Sequence, residues 1–180
     1  NLELIVVDDC STDGTRAIVT ELAARDPRVK LVSFGVNRGT YWCKNFGITQ
    51  AKGAAITFMD SDDVSEPERI AKQLALLREA GTAVTTCLHE RRDEAGTLIA
   101  VNGRTQRIAY ISQMMRRDVF EVIGYFDSVR TSADDEMLRR IKRTFGDTAH
   151  RNVHEVLYKA LVHGASLTQD PDNRGISAQP

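Results

Sequence analysis

Three carboxylates crowd the end of an apolar run in Ile56-Thr57-Phe58-Met59-Asp60-Ser61-Asp62-Asp63-Val64-Ser65-Glu66-Pro67. Like charges this close repel unless a cation or hydrogen-bond donors offset them. Hard oxygen donors suit Mg²⁺ or Mn²⁺, ions that keep several waters and bind substrate phosphates at the same time. The competing reading is a solvated acidic turn opening a helix, a role that Asp, Ser and Pro all favour. A second acidic group follows another apolar run, where residues 2–7 lead into Asp8-Asp9-Cys10-Ser11-Thr12-Asp13-Gly14-Thr15. A carboxylate there can accept from a nucleobase or a ribose hydroxyl, or it can simply serve the turn. The third group is Phe126-Asp127 followed by Ala133-Asp134-Asp135-Glu136. The helix dipole favours acids in a first turn, while a chemical reading makes one of them a general base.

The elements that must position these groups alternate along the first half. Leu2 to Val7 is an apolar strand broken only by Glu3. Ser11 or Thr12 is placed to cap a helix over 15–25, in which Ala17, Ile18, Leu22 and Ala23 recur at helical spacing and Asp26-Pro27 ends the run. Val29 to Ser33 is a second strand, and Asn37-Arg38-Gly39 a loop. Tyr41 to Ala51 is a second helix, closed near Gly53. Ala54 to Met59 is a third strand, and Pro67 opens a helix that Gly81 ends. This order predicts an α/β fold with a parallel sheet and right-handed crossovers, in which ligands gather at the carboxyl ends of the strands. Asp8, Asp9, Asp60 and Asp62 occupy those ends.

Beyond residue 83 the pattern loosens. Ala83 to His89, Leu98 to Val101 and Arg107 to Ile111 read as short strands, with a turn at Asp93-Glu94-Ala95-Gly96. Met115 to Ile123 reads as a short helix, Asp134 to Phe145 as a clearer one, and Val156 to Val162 as a closing strand. The polar tail after Ser166 reads as poorly ordered. The change of character divides the chain into halves, 1–82 and 83–180, of one domain.

Composition narrows the classes. At 180 residues the chain can bury one good core, with 42% hydrophobic and 27% charged residues, ordinary for a globular protein. A net charge of −1 offers neither a nucleic-acid footprint nor a polybasic membrane anchor. Cys10, Cys43 and Cys87 are odd in number and widely spaced, which suits reduced thiols in the cytoplasm better than a disulfide framework or a zinc site. No apolar run approaches the roughly 20 residues that span a bilayer, which leaves room for peripheral association at the inner face of the membrane. His89, His150 and His154 show no partnered spacing and read as surface residues.

Two phosphotransfer classes explain one motif each. A response-regulator receiver pairs acids after its first strand and carries an Asp after its third, but it needs a late Lys, usually before Pro. None of Pro27, Pro67, Pro171 and Pro180 follows a Lys. A haloacid-dehalogenase-type phosphatase uses Asp-x-Asp, normally followed by Thr or Val, where Asp63 stands here. Both leave Asp134 idle.

Taken jointly, the motifs resemble family 2 glycosyltransferases of the GT-A fold over nearly the whole chain. Leu4-Ile5-Val6-Val7-Asp8-Asp9 with Ser11, Asp13 and Thr15 resembles that family's nucleotide-binding turn. Asn37-Arg38-Gly39, Asn45-Phe46-Gly47 and Ala51-Lys52-Gly53 resemble its second helix and the approach to the metal-binding strand. Phe58-Met59-Asp60-Ser61-Asp62-Asp63, with Pro67-Glu68-Arg69-Ile70, is similar to its DxD segment. Met115-Arg116-Arg117-Asp118-Val119-Phe120 and Gly124-Tyr125-Phe126-Asp127 resemble the acceptor-side segment before its base. The family's usual Glu-Asp pair is altered, because Ala133 precedes Asp134.

The resemblance implies a GT-A nucleotide-binding fold, with a mostly parallel central sheet flanked by helices. Residues 1–82 would form the nucleotide-sugar half and 83–180 the acceptor half. It implies metal-dependent, inverting transfer of a hexose from a nucleoside-diphosphate sugar, with UDP favoured, to a glycan or lipid-linked acceptor in polysaccharide synthesis. Asp9 would accept from the base and Asp8 support the turn, with Arg38 near the nucleotide. Asp60 and Ser61 would lie against the nucleotide, and Asp62, with Asp60 and His163, would hold Mn²⁺ or Mg²⁺. Asp134 would be the base. The family begins with an earlier strand and helix, so an upstream segment or self-association is expected to complete the sheet.

Overall fold

A computed structural model describes residues 1–129 and 131–163, and the tail expected beyond Ser166 lies outside them. In chain order the elements are β1 (Leu4–Asp8), α1 (Thr15–Arg25), β2 (Val29–Ser33), α2 (Thr40–Gln50), β3 (Ala55–Thr57) and β4 (Val64–Ser65). There follow α3 (Arg69–Leu77), β5 (Val84–Asp93), β6 (Leu98–Ile99), β7 (Gln106–Ile108) and β8 (Met114–Arg116). The series ends with α4 (Arg117–Ile123), α5 (Ala133–Phe145) and β9 (His150–Val162). The fold is α/β. β1 pairs parallel to β2, and β5 pairs parallel to β9, whereas β4, β6 and β7 join antiparallel. Parallel strands need long crossovers, as between β1 and β2, and short connections give antiparallel neighbours, as where β6 and β7 fold back on β5.

Several boundaries differ from the sequence expectations. β3 is shorter than Ala54–Met59, because Phe58 to Asp60 leave the strand for the acidic loop. β3 also does not extend the β1–β2 pair but lies beside β8. The stretch expected to be helical from Met115 begins as β8 and turns helical at Arg117. β9 starts six residues early, since its polar first half is paired along β5 from Val84↔His150 onward. Neither Ser11 nor Thr12 caps α1: Asp13 Oδ1 accepts the Thr15 N–H at 3.0 Å, while the Ser11 N–H is already given to Asp8. The helix exposes Ile18 and Leu22.

By its contacts the chain forms two compact units, each made of two stretches of sequence, residues 1–56 with 115–147 and residues 57–114 with 148–180. In the first, Met115, Val119, Phe120, Phe126, Ala133, Met137, Leu138 and Ile141 are buried with Tyr41, Cys43 and Ile48. Glu3, the one polar break in the first apolar run, accepts from Lys30 Nζ and from the Lys52 and Gly53 N–H groups, which lower its pKa to about 2. It thereby ties the chain before β1 to β2 and to the turn before β3.

The second unit packs Cys87, Ala109, Leu157 and Tyr158 into its core. Beside them Arg69, 2% exposed, is the hub of a polar network. Its guanidinium donates to Thr57 Oγ1 at 3.1 Å and the Phe58 carbonyl at 3.3 Å before the acidic loop, and to Ser65 Oγ at 2.7 Å after it. Gln73, fully buried, accepts from Arg69 at 3.3 Å and donates to the Thr85 and Ser112 carbonyls. A buried charge is tolerated only when its donors are used, and here four of the five N–H groups find an acceptor. Arg69→Met should lower unfolding stability by about 2–3 kcal/mol, since it strands several buried acceptors. Arg69→Lys should recover little, because one ammonium cannot span the same fork. Urea midpoints of the three proteins check this.

Candidate functional site

In the first unit, β1 delivers Asp8 and Asp9 to opposite tasks. Asp8, 4% exposed, turns inward, where its carboxylate accepts the Ser11 N–H at 3.0 Å and ion-pairs with Arg16. Hydrogen bonding at Ser11 and the Arg16 guanidinium hold its pKa at about 2 against the burial that would raise it. Asp9 points to the loop after β2. Its Oδ1 accepts the Arg38 N–H at 2.7 Å and its Oδ2 the Gly39 N–H at 2.8 Å. Gly39 sits at φ 90, a conformation that suits glycine and aims its N–H at Asp9 while opening α2. The Arg38 guanidinium lies 4.7 Å from the Trp42 ring centroid, a cation–π contact over an aromatic group of Phe34, Trp42 and Phe46.

Asp134 is in the first turn of α5, as expected from sequence. Its carboxylate accepts the Tyr41 hydroxyl at 2.9 Å and lies 3.5 Å from Lys44 Nζ, both from α2. Asp135 instead pairs with Arg139 along the helix surface. Asn45, one residue past Lys44, clamps the segment leading to α5: its Nδ2 donates to the Phe126 carbonyl at 2.7 Å and its Oδ1 accepts the Phe126 N–H at 2.9 Å. Three side chains of α2 therefore fix one catalytic candidate. Their spacing, 41, 44 and 45, is one helical face, a signal the sequence carried but that gained meaning only once α5 was placed against it.

In the second unit the loop from Asp60 to Asp63 divides its carboxylates. Asp63 is structural. Its Oδ2 accepts the Tyr158 hydroxyl at 2.7 Å and its Oδ1 the Leu161 N–H at 3.0 Å, fastening the loop to β9. Burial raises its pKa against those two donors and raises that of the Tyr158 hydroxyl as well. The Asp60 N–H donates to the same hydroxyl at 3.3 Å. Asp62 stays at the surface with His163 Nε2 3.1 Å from its Oδ2. Among the described residues no group of three or more His, Cys, Asp or Glu side chains is gathered for a metal. A carboxylate and an imidazole side by side still fit Mg²⁺ or Mn²⁺, ions that complete their shells with water and substrate phosphate rather than with an all-protein cage. Asp8, Asp9, Arg38 and Asp134 belong to the first unit, and Asp60, Ser61, Asp62 and His163 to the second.

Sequence reasoning missed Arg69, Tyr158, Tyr41, Lys44 and Asn45 as positioning residues. It also placed His89 at the surface, whereas its Nδ1 is buried. Cys43 and Cys87 are free and buried, with thiols that burial pushes up, to about 12 for Cys43, which suits inert core thiols. No helix among the described residues is long and apolar enough to cross a membrane.

The model of glycosyl transferase family 2 matches residues 1–138. The chain belongs to that family. The succinoglycan biosynthesis protein ExoO of Rhizobium meliloti is 40% identical over 135 residues, 71% of this chain and 34% of its own length. The chondroitin synthase of Pasteurella multocida is 27% identical over 91% of this chain and 18% of its own. Among solved structures, S. aureus TarS 1-349 in complex with UDP-GlcNAc superposes with a TM-score of 0.71 at 22% identity, covering 97% of this chain and 55% of that one. A mannosyltransferase from Pyrobaculum calidifontis in complex with GDP-Man and Mn²⁺ gives 0.63 at 19% identity, over 89% and 47%. The fold is that of GT-A glycosyltransferases, and the chain spans from 18% to 55% of the length of these matches. Family membership removes the ground for the receiver and phosphatase readings.

Because the folded-state pKa of Asp8 lies below its ordinary 3.8, its contribution to stability is present above about pH 4 and is lost as pH falls toward 2. Urea midpoints measured from pH 6 to pH 2 should therefore fall more steeply for the natural chain than for Asp8→Asn, which should be the less stable protein at pH 6.

Proposed function

We propose that this chain carries the donor site and the base of an inverting glycosyltransferase, which moves a hexose from a nucleoside-diphosphate sugar, UDP-linked, to a hydroxyl of a glycan or lipid-linked acceptor. The observation that carries the reading is the set of carboxylates with distinct partners, Asp9 on the Arg38–Gly39 loop, Asp62 beside His163, and Asp134 held by Tyr41 and Lys44, in a chain of glycosyl transferase family 2. The relatives support the donor class, since solved neighbours hold UDP-GlcNAc or GDP-Man. Residues 1–82 serve the nucleotide and 83–180 mainly the acceptor. The setting is polysaccharide synthesis in the cytoplasm, at the inner face of the membrane.

Asp9 binds the base N–H through the lone pairs that Arg38 and Gly39 leave unused, since each carboxylate oxygen accepts more than once. Asp8 keeps the turn in shape, and Arg38 lies along the nucleotide. Asp60 and Ser61 meet the ribose and the diphosphate. Asp62 and His163, with Asp60, would hold Mn²⁺ or Mg²⁺, which when bound stabilises the charge developing on the departing nucleoside diphosphate. Asp134 takes the proton of the acceptor hydroxyl as that oxygen bonds to the anomeric carbon opposite the leaving group, which inverts the configuration. Tyr41 and Lys44 keep the carboxylate in one place for that transfer, which proximity makes effective.

Asp62→Asn should abolish Mn²⁺-dependent binding of UDP with the melting temperature unchanged, and Asp60→Asn should weaken it less. Calorimetric titration of UDP with and without Mn²⁺ reads this out, and equal affinity in the natural chain and Asp62→Asn would return the loop to an acidic turn.

Asp134→Asn should lower the transfer rate about 10²–10³-fold with donor affinity kept, as expected for a group needed only in the transition state. Asp135→Asn should do far less, because its side chain points about 100° away around the helix. Single-turnover transfer from UDP-sugars by the three proteins decides between the two.

A further inference from the structure

The strands β5, β7 and β9 present two faces of opposite character. Alternation puts Glu90 and Arg92 on one side and His89 and Arg91 on the other. On the first side every charge is answered, Arg92 by Glu90 at 2.7 Å and Lys159, opposite Glu90, by Glu66 at 2.5 Å. The second side is different. His89 stands between Arg107 of β7 and Tyr158 of β9 in the strand register, and Arg91 lies two residues further along. Among the described residues, neither Arg91 nor Arg107 makes an ion pair or hydrogen bond, and the buried Nδ1 of His89 has no partner. Arg91 is half-buried, Arg107 exposed. The charges are close enough to act on one another: burial, then Arg91 and Arg107, push His89 down to about 4, and burial, then Arg107, lower Arg91. Among the described residues the carboxylate whose field reaches Arg91 is Asp63, already committed to Tyr158 and Leu161.

Two guanidinium groups and an imidazole brought together with no carboxylate paired to either guanidinium are costly, since Asp63 is held by β9 and Asp93, on the same side, accepts the Thr97 N–H. An oxyanion offsets that cost, because guanidinium forks match carboxylate and phosphate geometry. We infer that the face formed by His89, Arg91 and Arg107 binds an oxyanionic group, a carboxylate or a phosphate ester, carried by the saccharide acceptor. The site adjoins the Asp60–Asp63 loop through Tyr158, which stands opposite His89 in the strand register and donates to Asp63, so an acid group bound here would hold a sugar beside the loop assigned to the donor. The anion site stands on its own geometry, and only its assignment to the acceptor rests on the glycosyltransferase reading. It gives the transferase a reason to select acidic acceptor chains over neutral ones.

The test is calorimetric titration of the full chain with sodium phosphate and with sodium glucuronate at constant ionic strength, beside a titration with UDP and Mn²⁺. The natural chain should bind at least one of the two anions saturably. Arg91→Gln and Arg107→Gln should each weaken that binding tenfold or more, while Arg92→Gln, on the paired face, should keep it. UDP affinity should be the same in all four proteins. Arg107 is exposed, so its variant decides the matter even if Arg91→Gln folds poorly. Absence of saturable binding by the natural chain, or equal binding in Arg107→Gln, overturns the anion site. A tenfold loss of UDP affinity in Arg107→Gln overturns the acceptor assignment and gives the site to the donor diphosphate. Anion binding by a natural chain that takes no nucleotide overturns the glycosyltransferase reading and leaves the anion site standing.

Discussion

The acidic loop depends on a buried guanidinium. Residues 60–63 carry three carboxylates on a stretch with no regular structure, and their mutual repulsion would open it. Arg69 prevents this by holding Thr57 and Phe58 on one flank and Ser65 on the other from a single side chain. Tyr158 supplies the second restraint, taking the Asp60 N–H and donating to Asp63 while its ring lies 5.6 Å from the Arg69 guanidinium. Burial disfavours the charged forms of both Asp63 and Arg69. The loop's conformation is thus set by core packing, while the Asp62 carboxylate stays at the surface.

The candidate groups of the first unit are placed by a different device. Among the described residues three non-glycine residues have positive φ, and two of them, Cys10 and Ser132, stand next to Asp9 and two residues before Asp134. Such conformations cost on the order of 1–3 kcal/mol and persist where the surroundings over-determine them. Here the surroundings are the Asp8–Ser11 turn on one side and, on the other, the Asn45 clamp on Phe126 together with the Glu136 N–H to Ser132 carbonyl bond. In each case a strained residue turns the chain so that the neighbouring carboxylate reaches partners contributed by another element.

How far the sequence could be read follows from where information resides. The β1–α1–β2–α2 series was legible because its apolar runs are bounded by turn residues; Asp134 lies in the helix the spacing implied, and Asp9 and His163 directly follow the strands β1 and β9. β9 was not legible at its start, because His150, Arg151, Asn152, His154 and Glu155 show no apolar alternation. Their strand character comes from pairing with β5, a partner more than sixty residues away. The Met115–Ile123 stretch failed for the opposite reason: apolar spacing compatible with a helix covers a segment whose first residues are drawn into β8 by its strand neighbours. Tertiary pairing overrides local pattern in both.

The four letters Asp60-Ser61-Asp62-Asp63 show what spacing alone leaves undecided. Residue type alone does not separate Asp62 from Asp63, which only the resemblance to a DxD segment told apart, yet the two side chains have different partners. Asp63 spends both oxygens on β9, whereas the Asp62 side chain remains 40% exposed beside His163. That division has a physical logic. A carboxylate that both anchored a loop and bound a cation would lose its anchor whenever the cation left, and the loop would open with every cycle. With anchoring assigned to the half-buried Asp63 and its tyrosine, a ligand that came to or left the exposed Asp62 would not disturb the backbone that Arg69 and Tyr158 hold.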